Sequence, residues 1–178
     1  DRVSKRPAVF DIEKLKWING QYLRKLPKAE LAEYLAPYVK DACVTGERLN
    51  LLAETFAGHI NTFNEINNFL PLFSGEECAP WTEEAKAVMS ETTVPEVLRL
   101  FYTKVCALTE LSPPGVKTAL KQIRKELGLG GAQVFMPVRI ALTGNQHGPD
   151  LDNLVALMGK EIMDTRLKKT AQSLGCEL

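Results

Sequence analysis

Phe135-Met136-Pro137-Val138-Arg139-Ile140-Ala141-Leu142-Thr143-Gly144, followed at once by Asn145-Gln146-His147-Gly148-Pro149-Asp150-Leu151, sets one arginine among apolar residues, turns, and begins a new apolar run. An arginine between Val138 and Ile140 does not sit unpaired in a core, because an uncompensated buried charge is too costly. It pairs, or it reaches something planar or anionic, the task at which a guanidinium outperforms an ammonium. Gly148 lets a backbone or a base come close, and Pro149 is pre-set to open a helix. Val134-Phe135 and Val138-Arg139-Ile140 resemble strand segments, yet Met136-Pro137 ahead of Arg-Ile-Ala-Leu fits a short helix as well. The segment reads as helix, turn, helix. Two readings of Arg139 stay open: a side chain snorkelling to water, or one held out for a ligand.

Outward from that corner, helical spacing dominates. Asp11 is placed to cap a first helix, with Phe10 packing on Leu15 as a hydrophobic staple. Ile12, Leu15, Ile18, Tyr22 and Leu26 follow at helical intervals up to Pro27. Further helices are expected around Leu31–Val39 and Leu49–Phe56. Thr62-Phe63-Asn64-Glu65 and Thr93-Val94-Pro95-Glu96 each match a capping box, Thr82 opens another helix, and Ser112-Pro113-Pro114 begins one that stops at Gly128. Pro149 starts a helix to Met158, and Lys160 to Leu174 forms the last. No long stretch alternates as a sheet demands. The expectation is an all-α chain of two consecutive helical subdomains, 1–111 and 112–178, parted at Leu111-Ser112-Pro113-Pro114.

The chain has 178 residues, is 45% hydrophobic and 25% charged, and so can bury a core. Its 22 basic and 22 acidic residues cancel, which alone argues against nucleic acid as a partner. The distribution is uneven. Residues 1–30 carry eight Lys/Arg against four Asp/Glu, residues 31–100 four against eleven, and residues 101–178 ten against seven. Basic ends suit a molecule that turns one face to phosphate and another to solvent. Lys14, Lys16, Arg24, Lys25 and Lys28 are phosphate candidates on an outer face. Cys43, Cys78, Cys106 and Cys176 form no Cys-x-x-Cys pair, and with His59 and His147 they give no zinc spacing. Most of these cysteines read as reduced packing residues of a cytoplasmic protein. No signal peptide or membrane-spanning run is visible. The start at Asp1 without Met suggests a fragment or a processed product.

The residues of the corner closely resemble the C-terminal half of bacterial-type glutamyl-tRNA synthetases. There a Phe-Met-Pro-x-Arg-x-Ala-Leu-Thr-Gly run precedes a Gly-Pro-x-Leu helix start. A second match is Phe10-Asp11-Ile12-Glu13-Lys14-Leu15-Lys16-Trp17-Ile18-Asn19-Gly20-Gln21-Tyr22-Leu23. It resembles the Phe-Asp-x-x-Lys-Leu-x-Trp-x-Asn-x-x-Tyr-Leu segment that opens the region after the catalytic half. A weaker third match runs from Leu157-x-Gly159-Lys160-Glu161 to Arg166-Leu167. The stretch from about 40 to 115 agrees only in helical texture.

The resemblance implies the helical anticodon-binding architecture of class I aminoacyl-tRNA synthetases. In the family the arginine of the corner and the turn and helix start after it face the anticodon. Carried across, these positions are Arg139, Gly148, Pro149 and Leu151. The arginine would donate to or stack on a splayed base, and Pro149 and Leu151 would offer apolar platforms. Some members carry a threonine at the position of Gly148, whose hydroxyl this chain lacks. Relatives also place an arginine, tied to base choice, in the region of Gly58-His59-Ile60-Asn61-Thr62, where His59 stands here.

Implied partners are tRNA(Glu) and a catalytic half of the same polypeptide, in a monomer; the parent uses ATP and Mg, while this chain itself is expected to need no cofactor. Ser4-Lys5-Arg6 resembles the tail of the Lys-Met-Ser-Lys loop without its Lys-Met part. With no His-x-Gly-His element and no glycine-rich phosphate loop, this chain alone is expected not to be an enzyme. Trp17 is expected in the core or at a domain contact, and Asn19 is expected to bond a neighbouring turn. The rival functional reading is a helical interaction or scaffold module without RNA binding.

Overall fold

A computed structural model describes residues 11–39, 44–73 and 80–178. Among them the elements are helical and no strand occurs: α1 (Ile12–Leu23), α2 (Lys28–Leu35), α3 (Glu47–Phe56), α4 (Glu83–Met89), α5 (Val94–Cys106), α6 (Pro113–Leu127), α7 (Gly131–Thr143) and α8 (Leu151–Leu174). Short 3-10 turns lie at Ala36–Tyr38, Phe63–Asn68 and Leu70–Leu72. Local chemistry explains most of the boundaries. Asp11 accepts from the Lys14 N–H and Thr82 from the Ala85 N–H, each satisfying a donor that the first turn leaves free. Phe10, Ser4-Lys5-Arg6, Cys43 and Cys78 lie outside the described residues. Gly128 ends α6 in the left-handed region at φ 64°, where the Cβ penalty of other residues is avoided.

Two of the expected caps are different in the fold. Glu65 reaches back to the Asn61 N–H at 2.7 Å, one residue ahead of the position a capping box requires, and the segment after Thr62 winds as a 3-10 turn. Asn67 bonds Asn64 there at 2.8 Å, the kind of local side-chain bond that competes with α-helix, and Pro71 withholds a donor from the next turn. Thr93 makes no side-chain cap, and its hydroxyl is buried without a hydrogen-bond partner. Cys106 is exposed rather than packed, because it follows Val105 around the last turn of α5 onto the solvent side.

The buried side chains form two cores. The first gathers Leu23, Leu31, Leu35, Leu52, Phe56, Ile60 and Ile66, with Phe56 meeting the Phe69 ring at 4.5 Å between centroids. The second gathers α4 to α8, including Leu98, Phe101, Ile123, Val138, Leu142 and Met163. This second core contains α4 and α5, which a division at residue 111 assigns to the first subdomain. Pro113-Pro114 marks a tight helix corner inside one core, where the same punctuation in sequence reads as a linker.

The first half of α8 joins the cores. Leu154 and Leu157 face the first, whereas Leu151, Val155 and Met158 face the second. Gly159 then breaks the helix at φ 79° and ψ 168°, at the break expected between Met158 and Lys160. The break strips carbonyls of their helical donors, and Arg48 of α3 donates to one of them, the Leu157 oxygen. Farther along α8, Asp164 accepts from Lys168 at 2.9 Å and from the Tyr102 hydroxyl of α5 at 2.7 Å. These two bonds, the lysine's first, hold the Asp164 carboxyl below its ordinary pKa.

At the other end, α1 packs on the turn that carries His59. Asn19 donates through Nδ2 to the Asn61 carbonyl, as expected of an asparagine within a helix. Gly20 is buried against the same residue: a Cβ there would stand 2.0 Å from Asn61 Oδ1 and 2.9 Å from Arg24 Nη2. Gly20→Val is therefore expected to destabilise the chain by about 1–3 kcal/mol through overpacking, read as a lower urea midpoint. An unchanged midpoint would show that Asn61 swings aside freely. Trp17 is not core; it is 60% exposed, on a helix that also shows Ile12, Leu15, Ile18 and Tyr22 to solvent.

Candidate functional site

The corner is built by α7, the turn after it and the start of α8. Helix α7 is longer than the sequence suggests, with Pro137 inside it. An interior proline costs about 3 kcal/mol. Here its neighbours Val134, Val138, Ile140, Ala141 and Leu142 bury a broad face in compensation, while Gln133, four residues earlier, lies on the exposed side.

The carbonyls at the end of α7 are all engaged. The Thr143 hydroxyl lies 2.8 Å from the Arg139 oxygen, and the Gly144 N–H donates to Ile140 at 2.8 Å. The Thr170 hydroxyl donates to Ala141, Arg166 Nη1 to Leu142 at 2.6 Å, and Asn145 Nδ2 to Thr143 at 3.2 Å. Arg166 also reaches Pro71 through Nη2 at 2.9 Å, so this buried guanidinium ties the corner to the other core. Gly144 turns the chain at φ 75°, a conformation that favours glycine.

Arg139 leaves this frame half-buried. Its Nη1 donates to the Pro149 carbonyl at 2.8 Å, and no other acceptor meets its remaining N–H donors among the described residues. Burial lowers its pKa from the usual arginine value, and the nearby Asp150 charge opposes that shift. An arginine remains protonated through such a change. Gly148 lies beside it at φ 152°, and a Cβ at that position would stand 3.2 Å from Arg139 Nη1. Both the backbone conformation and the limited space favour glycine at this position. The result is a planar cation, fixed at one nitrogen and open at the others, next to a notch without a side chain.

The structure brings Arg139, Gly148 and Pro149 into this arrangement. Leu151 is close in sequence but only 6% exposed, within the second core, and Pro149 is buried. Neither offers the apolar platform expected of it, because both are taken up in seating α8 against α7. His59 is exposed in the turn after α3, packed edge-on to Phe56 at 6.5 Å between ring centroids. It belongs to the first core's surface, and no hydrogen bond or ring contact joins it to the Arg139 corner. Thr143, Asp150 and Arg166 are the supporting residues that sequence reasoning missed. Thr143 had a signal, since a threonine four residues after Arg139 can bond back to its carbonyl. Among the described residues no group of three or more His, Cys, Asp or Glu is placed to hold a metal ion, and no helix is long and apolar enough to cross a membrane.

Comparison with known proteins places this geometry in context. A family model described as an anticodon binding domain matches residues 30–171. The chain is 40% identical to a glutamate–tRNA ligase of Heliobacterium modesticaldum over 186 aligned positions, covering 100% of this chain and 38% of that protein. Against a glutamate–tRNA ligase of Bacillus subtilis the identity is 38%, covering 94% of this chain and 36% of that protein. The chain thus spans little more than a third of the length of these relatives. A crystal structure of a glutamate tRNA ligase from Elizabethkingia meningosepticum shares the fold with a TM-score of 0.81, over 97% of this chain and 34% of that one, at 23% identity.

Proposed function

The chain belongs to the anticodon-binding domain family, and from that premise we propose that it is the part of a glutamate–tRNA ligase that grips the anticodon arm of tRNA(Glu). The observation that carries this reading is Arg139, held at one nitrogen by Pro149 and open at the rest beside the Gly148 notch. A fixed guanidinium with open donors suits a base splayed out of a loop, which it can bond or stack upon. Base choice rests on Arg139 and the backbone around Gly148. Leu151 acts from behind by seating the helix, and His59 marks a second point of contact toward the first core.

In this reading the corner within 112–178 reads the loop, and α1 within 1–111 adjoins the catalytic half. The solvent-facing Ile12, Leu15, Ile18 and Tyr22 support that second assignment, because an apolar helix face of this kind is one that protein covers. Glutamylation, with its ATP and Mg, belongs to the catalytic half; this chain supplies position and no chemistry of its own.

The test is a titration with a hairpin bearing the glutamate anticodon and with one of scrambled loop sequence, at two salt concentrations. Cognate preference that survives the higher salt is the expected result. Equal binding that vanishes with salt would reduce the interaction to general electrostatics.

A further inference from the structure

Helix α6 carries Lys117, Lys121, Arg124 and Lys125, all exposed. At about 100° per residue these four fall on one side of the helix. The other side buries Val116, Ala119, Leu120 and Ile123 in the core that also holds Val138 and Leu142 of α7, so the row is rigidly placed relative to Arg139.

Among the described residues none of the four makes an ion pair, whereas cations on neighbouring helices do: Arg99 with Glu96, Lys104 with Glu126, Lys168 with Asp164. The one acid of α6, Glu126, is the partner of Lys104 on α5 and so is directed away from the row. Within the row, Lys117 and Lys121, Lys121 and Arg124, and Lys121 and Lys125 stand three or four residues apart. Such like-charge neighbours weaken a helix. The helix dipole favours Arg124 and Lys125 in the last turn, but it gives Lys117 and Lys121 no such return. A row of cations that weakens its own helix and meets no carboxylate is matched to an external polyanion.

We propose that this face of α6 is a track for the phosphate backbone of the anticodon arm, supplying affinity while the Arg139 corner supplies base choice. The proposal rests on the anticodon reading above. From Lys117 to Lys125 the row rises about 12 Å, at about 1.5 Å per residue. That is long enough to run beside a few successive backbone phosphates. Phosphate contacts of this kind fix register and carry no sequence information.

The experiment replaces Lys117, Lys121 and Lys125 together by Gln, a good helix former, and titrates the variant and the unaltered chain with the same two hairpins across a salt series. Unfolding midpoints establish that the variant is folded; with the repulsion removed, the midpoint is expected to hold or rise. The expected binding result is an affinity about tenfold or more lower at low salt. The slope of log K against log salt becomes shallower by about 2–3, with the ratio of cognate to scrambled binding unchanged. An unaltered slope with cognate preference intact overturns the track and leaves the anticodon reading standing. Absence of binding by the unaltered chain, even at low salt, overturns both.

Discussion

Arg166→Leu is expected to cost about 3 kcal/mol of stability, seen as a lower urea midpoint with an unchanged denaturant slope. Arg166 is only 6% exposed, and its two terminal nitrogens donate to the Leu142 carbonyl at 2.6 Å and the Pro71 carbonyl at 2.9 Å. Hydrogen bonds from a charged donor contribute about 1.5–3 kcal/mol each. Leucine fills much of the vacated apolar space, so the loss reports mainly on the donors. The two acceptors lie on different cores, at the end of α7 and in the 3-10 turn at Leu70–Leu72. The variant is therefore also expected to loosen the corner, with faster amide exchange at Gly144 and Asn145 than the global destabilisation accounts for. A loss below about 1 kcal/mol would mean that the tie contributes little and that packing along α8 alone joins the cores.

Arg139→Ala is expected to lower affinity for the glutamate-anticodon hairpin by about 1–3 kcal/mol, or about five- to 150-fold, and to erase the preference over a scrambled loop. The salt slope should stay nearly unchanged, since one base contact releases few counterions. That pattern is the reverse of the one expected from the α6 row, which makes the two roles separable in a single assay. Losing the charged bond to Pro149 is also expected to cost about 1.5 kcal/mol of stability, so binding is measured well below the unfolding midpoint. Arg139→Lys is the sharper variant: it keeps the charge and discards the planar fork. If lysine restores full preference, the residue acts as a point charge and the base-reading assignment is wrong.

In sequence, Gly148 marks a position where a backbone or a base can come close. In the fold, its φ of 152° and the 3.2 Å from a would-be Cβ to Arg139 Nη1 show what the space is used for.

Sequence by itself determined the helical class, because 3.6-residue apolar spacing and cap residues such as Asp11, Thr82 and Gly128 act within one or two turns of chain. It also determined the corner after α7 and the break at Gly159, where glycine and proline restrict the backbone locally. The anticodon assignment came from residue identity at two separated motifs, not from spacing. Tertiary structure alone decided the rest. Thr62 lost its α-helix because neighbouring asparagines and Pro71 outweighed a local preference worth about 1 kcal/mol, and Thr93 makes no cap. Leu151 became core and Trp17 surface, since a helical pattern names an apolar face without naming what covers it. Residue 111 became a corner within a core because Pro113-Pro114 starts a helix equally well at a linker or inside a bundle. Arg166 and Pro71, 95 positions apart, meet through a bond that no local pattern encodes. A charge in the interior must find its partner wherever the fold brings one.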